Sequence, residues 1–299
     1  MASREGFVEG GTRIYYTTLG RGPSLILLHG GPGADHHDFL PFLTPLARRF
    51  RLILMDERGS GRSERLKDSK FYTLGHMVHD IERLRKHLNM EQFAVLGHSF
   101  GGILAQAYAI RHPRRLLGLI LAGTASSAHA INADFQKIRA ALTPTQRSKL
   151  AAFERRGIFR ADGQYHPGYA RLTSQALAPY MHVRAPSRPG SPLSGMEVLR
   201  EMWVRRSDFR IDGNLKGFDF IADLKKVTAP SLVVIGDRDM VTTASADATR
   251  VALPHATLVV MANCGHMMFV DQTSRFNAML TDFLASLPAK GAGRPRRAS

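Results

Sequence analysis

The chain has 299 residues, of which 44% are hydrophobic and 22% charged, a balance that excludes a disordered chain, a fibre and a coiled coil. The length allows one large domain or two small ones. Forty-one basic residues against 25 acidic ones give a net charge of +16, yet no zinc-finger spacing, RNP-like aromatic string or recognition helix accompanies it, so nucleic acid is not the expected partner.

Met1-Ala2-Ser3-Arg4-Glu5-Gly6 lacks the apolar stretch of a secretory signal. No apolar run reaches membrane-spanning length, so no membrane segment is expected. The single cysteine, Cys264, leaves no internal disulfide, and a reducing cytoplasm is the expected compartment. Apolar runs bounded by glycine or polar residues predict strands over 13–18, 25–28, 52–55, 93–96, 116–122, 232–235 and 257–261. Most are continuous rather than alternating, as strands buried on both faces of a parallel sheet should be. Helical periods separate them. Leu74, Met77, Val78, Ile81, Leu84 and Leu88 recur at three- and four-residue steps, as do Phe276, Met279, Leu280, Phe283, Leu284 and Leu287 before Pro288. Strand–helix alternation argues an α/β sheet.

The alternation breaks between 126 and 214. That stretch offers helix-like pieces at 135–142 and 196–206, joined through a turn-rich connector at 185–195, and no convincing strand. The expected organisation is an α/β core over 1–125 and 216–288, a helical insertion over 126–215, and a basic tail over 289–299. The tail has no apolar residue larger than alanine or proline and reads as disordered. The insertion carries 14 Lys and Arg against 7 Asp and Glu, so it is itself basic.

Gly97-His98-Ser99-Phe100-Gly101 matches G-x-S-x-G. It directly follows an expected strand and opens a helical stretch, the context in which such a turn presents a nucleophilic serine. Serine needs a base to attack at neutral pH. Of thirteen histidines, His266 stands out, because Asn263-Cys264-Gly265-His266 follows the last expected strand and precedes the last helix. His98 is expected to pack against the core, and His29 to organise the loop after its strand. A carboxylate should orient the base. Gly236-Asp237-Arg238-Asp239-Met240 offers two, and the spacing leaves both Asp237 and Asp239 open, with Asp239 favoured. For the developing oxyanion, the Phe100 amide lies beside the nucleophile. A second donor is expected from His29-Gly30-Gly31-Pro32-Gly33. There Gly30 lets the backbone approach the substrate, and Gly31 supplies the N–H because Pro32 has none. No phosphate-loop pattern fits these glycines.

Together these motifs resemble the proline iminopeptidase family of α/β-hydrolase serine peptidases, over nearly the whole core. His29-Gly-Gly-Pro-Gly33 looks like its oxyanion loop. Asp56-Glu-Arg-Gly-Ser-Gly-Arg-Ser63 looks like the turn after the next strand, and Cys264-Gly-His266 like the histidine loop. In the resemblance the acid is the fourth residue of the glycine turn, which raises Asp239 above Asp237. It also implies that the insertion is a cap over the site. Close relatives bind the substrate's N-terminal ammonium with two glutamates. The matching positions here are Asp208, one methylene shorter, and Met240, which cannot take an ammonium. Arg205, Arg206 and Arg210 are expected around Asp208, and Trp203 is a candidate for lining the pocket. The expectation is a metal-free, cofactor-free α/β hydrolase. It acts on a small molecule or short peptide through Ser99, His266 and Asp239, with an ester or lactone as the alternative substrate and a non-catalytic binding module as the third possibility.

Overall fold

The computed structural model describes residues 3–182 and 195–288. Most of the expected connector and the whole expected tail lie outside them. Eight strands form one sheet: β1 (Ser3–Val8), β2 (Ile14–Leu19), β3 (Ser24–Leu28), β4 (Arg51–Met55), β5 (Phe93–His98), β6 (Leu116–Ala122), β7 (Ser231–Gly236) and β8 (Ala256–Met261). Their order is β1-β2-β4-β3-β5-β6-β7-β8. The β1–β2 and β2–β4 pairings are antiparallel, and all pairings from β4 to β8 are parallel.

The helices are α1 (Leu40–Leu43), α2 (Leu74–His87), α3 (Phe100–Arg111), α4 (Ala128–Ala141), α5 (Pro144–Arg156), α6 (Pro167–Met181), α7 (Met196–Met202), α8 (Thr243–Ala252), α9 (Met268–Asp271) and α10 (Thr273–Ser286). The twofold period of the strands divides the core. Ile26, Leu28, Ile53, Val95, Leu119 and Val233 pack on one face with α2, α3 and α8, through Ile81, Leu104 and Ala246 among others. Leu25, Leu27, Leu52, Leu96, Ile120 and Val234 pack on the other, with Phe269 of α9 and Phe276 and Leu280 of α10. Burial on both faces is why these strands read as continuous apolar runs.

Two elements differ from expectation. β1 was not expected: it is a mostly exposed edge strand, Ser-Arg-Glu-Gly-Phe-Val, with no apolar run to announce it. The helix expected over 196–206 stops at Met202. There the chain turns back, because the Trp203 carbonyl accepts from the Asp212 and Gly213 amides at 2.9 and 3.1 Å. The Asp212 carboxylate accepts from the Arg205 and Arg206 amides at 2.5 and 3.1 Å. Between β6 and β7 the described residues hold α4 to α7 and only two isolated bridges. No helix among the described residues is long and apolar enough to cross a membrane.

Candidate active site

Ser99 stands between β5 and α3 with φ 54° and ψ −118°, a backbone region that costs a non-glycine residue of order 1–3 kcal/mol. The neighbouring chain holds it there. Its N–H donates to Ala122 O at 2.9 Å. A Cβ on Gly97 would lie 2.2 Å from Gly101 O, and one on Gly101 would lie 2.1 Å from Leu28 O, so both positions exclude any side chain. Phe100 is the first residue of α3, where a backbone N–H has no acceptor within the helix. Gly30 lies against the elbow: a Cβ there would be 3.4 Å from Ser99 Cβ and 3.1 Å from His98 Nδ1. Gly31 follows at φ 111°.

The parallel order β5-β6-β7-β8 brings the other candidates to the same sheet edge. Asp239 leaves the end of β7, and His266 follows β8. His266 Nδ1 is 2.7 Å from Asp239 Oδ1, with side chains 6% and 0% exposed. The same Oδ1 accepts the Val241 N–H at 2.9 Å. Asp237 faces elsewhere: its Oδ1 accepts the Cys264 N–H at 3.1 Å, tying the turn after β7 to the histidine loop. A Cβ on Gly123, one residue past Ala122, would meet His266 Nδ1 and Asp239 Oδ2, each at 3.1 Å. That closes the space between Ser99's strand neighbour and the His–Asp pair.

A family model described as the alpha/beta hydrolase fold matches residues 23–273. The chain belongs to the α/β-hydrolase family. It is 28% identical over 278 residues to a proline iminopeptidase of Saccharolobus solfataricus, covering 92% of this chain and 89% of that one. Its fold superposes on the crystal structure of VinJ with a TM-score of 0.84 at 25% identity, covering 95% of this chain and 99% of that one. It superposes on a proline iminopeptidase of Mycobacterium smegmatis with a TM-score of 0.79 at 24% identity, covering 94% and 98%. This α/β hydrolase is a serine hydrolase resembling the proline iminopeptidases.

His98 does more in this hydrolase than pack. Its ring is buried beside His266, with centroids 4.7 Å apart, and its Nε2 is 3.0 Å from the His266 carbonyl. Burial, then the neighbouring His266, push its pKa well below the ordinary imidazole value. The neutral ring therefore donates its Nε2 proton to that carbonyl. Nothing in the spacing of the motif signals this contact. The inserted helices hold both loops. His266 N–H donates to Tyr180 O at 2.7 Å and Met267 N–H to Met181 O at 3.0 Å, at the end of α6. Gly195 N–H, just before α7, donates to Gly33 O at 2.9 Å. From α4, buried Asp134 accepts from the Thr242 N–H and hydroxyl, each at 2.9 Å, three residues beyond Asp239.

Asp208 lies inside the inserted helices. Tyr165 OH donates to its Oδ1, and its own N–H donates to Tyr169 OH at 2.7 Å. Burial pushes the carboxyl up to about 6, against the hydrogen bonds of Tyr165 and Thr173 that favour its charged form. The expected arginine cluster gathers elsewhere. The Arg205 and Arg206 amides and the Arg210 side chain meet Asp212, the last at 3.5 Å, because Asp212 closes the turn after α7 while Asp208 points to α6. Trp203 packs edge-on to Phe135 at 6.4 Å, and Met240 is buried beside Asp239. Among the described residues one His–Asp group, Asp35-His36-His37, brings possible metal-ligand atoms within 4.8 Å. Its rings already engage carboxylates: His36 Nδ1 meets Asp56 at 2.8 Å and His37 Nδ1 meets Asp35 at 2.9 Å.

Proposed function

We propose that this hydrolase cleaves a small amide or N-terminal peptide bond through an acyl-enzyme on Ser99. The observation that carries the reading is the 2.7 Å His266–Asp239 pair on the loops after β8 and β7, at the same sheet edge as the strained Ser99 elbow. His266 takes the Ser99 proton as Oγ attacks the carbonyl carbon. The amides of Phe100 and Gly31 receive the oxyanion. His266 then gives that proton to the leaving nitrogen as the C–N bond breaks. A water, deprotonated in turn by His266, releases the acyl group and regenerates Ser99. Asp239 keeps the ring oriented and stabilises its cationic form. The helices over 126–215 serve as the cap. The buried free Cys264, in the histidine loop after β8, suits a reducing cytoplasm.

For substrate choice, Asp208 is the residue proposed to read a free ammonium, supported by relatives named proline iminopeptidase. A second reading, an ester or lactone without positive charge, is favoured by Met240 beside the acid and by Tyr165 already holding Asp208. Alanyl and prolyl p-nitroanilides with a free amine, compared with their N-acetylated forms, separate the two, with Ser99→Ala as the blank. A hydrogen bond to a charged group is worth about 1.5–3 kcal/mol, so kcat/KM is expected to favour the free amine by about 10- to 100-fold. Equal or better cleavage of the acetylated compounds removes the ammonium site and moves the substrate to uncharged amides, esters and lactones.

A further inference from the structure

We propose that the buried His29–Glu57 pair is a positioning device that locks the Gly30–Gly31 peptide so that the Gly31 N–H faces the oxyanion. This rests on the acyl-enzyme reading above. His29 directly follows β3, and both side chains are completely buried. Its Nδ1 is 2.8 Å from the carbonyl oxygen of Gly30. Its Nε2 is 2.8 Å from Glu57 Oε2 and 3.3 Å from the Glu57 backbone nitrogen. A carbonyl oxygen only accepts, so Nδ1 carries the hydrogen given to Gly30.

The consequence follows from peptide geometry. The Gly30–Gly31 bond is trans, so its N–H points opposite to its C=O. Holding the carbonyl on the His29 side turns the Gly31 N–H to the other side of the peptide. Gly30 is the residue whose Cβ would lie 3.4 Å from Ser99 Cβ, which places this peptide beside the nucleophile. Glycines on both sides leave the plane free to rotate, and Gly31 already sits at φ 111°, so the loop itself does not fix it.

Glu57 is placed by a rigid turn. Asp56 Oδ1 accepts from the His36 N–H at 2.9 Å, and its Oδ2 from the Arg62 N–H at 2.8 Å. Ser63 Oγ donates to Asp56 O at 2.6 Å. Arg58 is buried against Asp80 at 2.7 Å and also donates to the Phe71 and His76 carbonyls. Burial works against charge on His29, but the adjacent Glu57 outweighs it and holds the ring's proton more tightly than usual. Burial holds the Glu57 carboxyl up as well. Whatever the charge on the pair, Nδ1 keeps the hydrogen it gives to the Gly30 carbonyl.

The test uses p-nitrophenyl acetate, whose turnover needs the oxyanion donors but no ammonium site. His29→Leu is expected to lower kcat roughly 100-fold, within the range seen when one oxyanion donor is lost, with KM changed less than about threefold. Glu57→Leu frees Nε2 to take the ring's proton and should lower kcat about tenfold, and Glu57→Gln, whose amide donates to Nε2, should restore most of that loss. Nitrogen-15 spectra of histidine-labelled wild-type protein should show a protonated Nδ1 at His29, whether or not any variant folds. A folded His29→Leu enzyme with wild-type kcat, an effect confined to KM, or a bare Nδ1 overturns the positioning role. Retained turnover in Ser99→Ala overturns the acyl-enzyme reading itself.

Discussion

Ser99→Ala is expected to lower kcat on order of 10⁵-fold without altering the fold, since removing the nucleophile of such a triad leaves only binding and oxyanion stabilisation. Alanine keeps the Cβ and drops only the hydroxyl. The backbone at φ 54° is held by the Ala122 carbonyl, which accepts the Ser99 N–H, and by the close packing at Gly97 and Gly101. Thermal stability should therefore stay close to that of the wild type. Turnover of a p-nitroanilide or p-nitrophenyl ester, followed beside a melting curve, checks both halves. Near-native kcat in a purified, folded variant contradicts the mechanism.

The second large effect is expected at Asp239. Asp239→Asn should lower kcat about 10⁴-fold with little change in KM. The Asp239 carboxylate accepts from both His266 Nδ1 and the Val241 N–H. An amide nitrogen facing Nδ1 forces the ring's proton onto Nε2, the atom that must accept from serine in the proposed mechanism. Asp237→Asn is the matched control. Its carboxylate holds the Cys264 amide and is mostly solvated, so the expected loss is under tenfold and tracks loop stability. Equal losses in the two variants would remove the distinction between orienting acid and loop anchor.

The α/β sheet was legible in the sequence because its central strands are buried on both faces and must be apolar throughout. β1 was not legible, since an edge strand that meets solvent needs no such run. The candidate nucleophile and base were readable from local context, a strand–turn–helix and a loop after the last strand. Spacing favoured Asp239 over Asp237 without deciding between them, because two carboxylates two residues apart differ only in what they face. Family resemblance pointed to Asp239, and in the structure Asp239 meets the imidazole while Asp237 meets a backbone amide. Long-range pairings carry no local signal at all. His98 against the His266 carbonyl, Asp134 against Thr242 and Glu57 against His29 join residues that only the folded sheet brings together. The arginines after α7 show the reverse failure. Closeness in sequence suggested Asp208 as their partner, but the turn brings Asp212 to them and sends Asp208 to Tyr165.

The most direct measurement is to trap the covalent enzyme. Wild-type protein is reacted with an aryl phosphonate, digested, and the modified peptide is read by mass spectrometry. A single adduct on Ser99, absent from Ser99→Ala and formed far more slowly in Asp239→Asn, is the expected result. An adduct on another residue, or none from an enzyme that still turns over substrate, contradicts catalysis through Ser99.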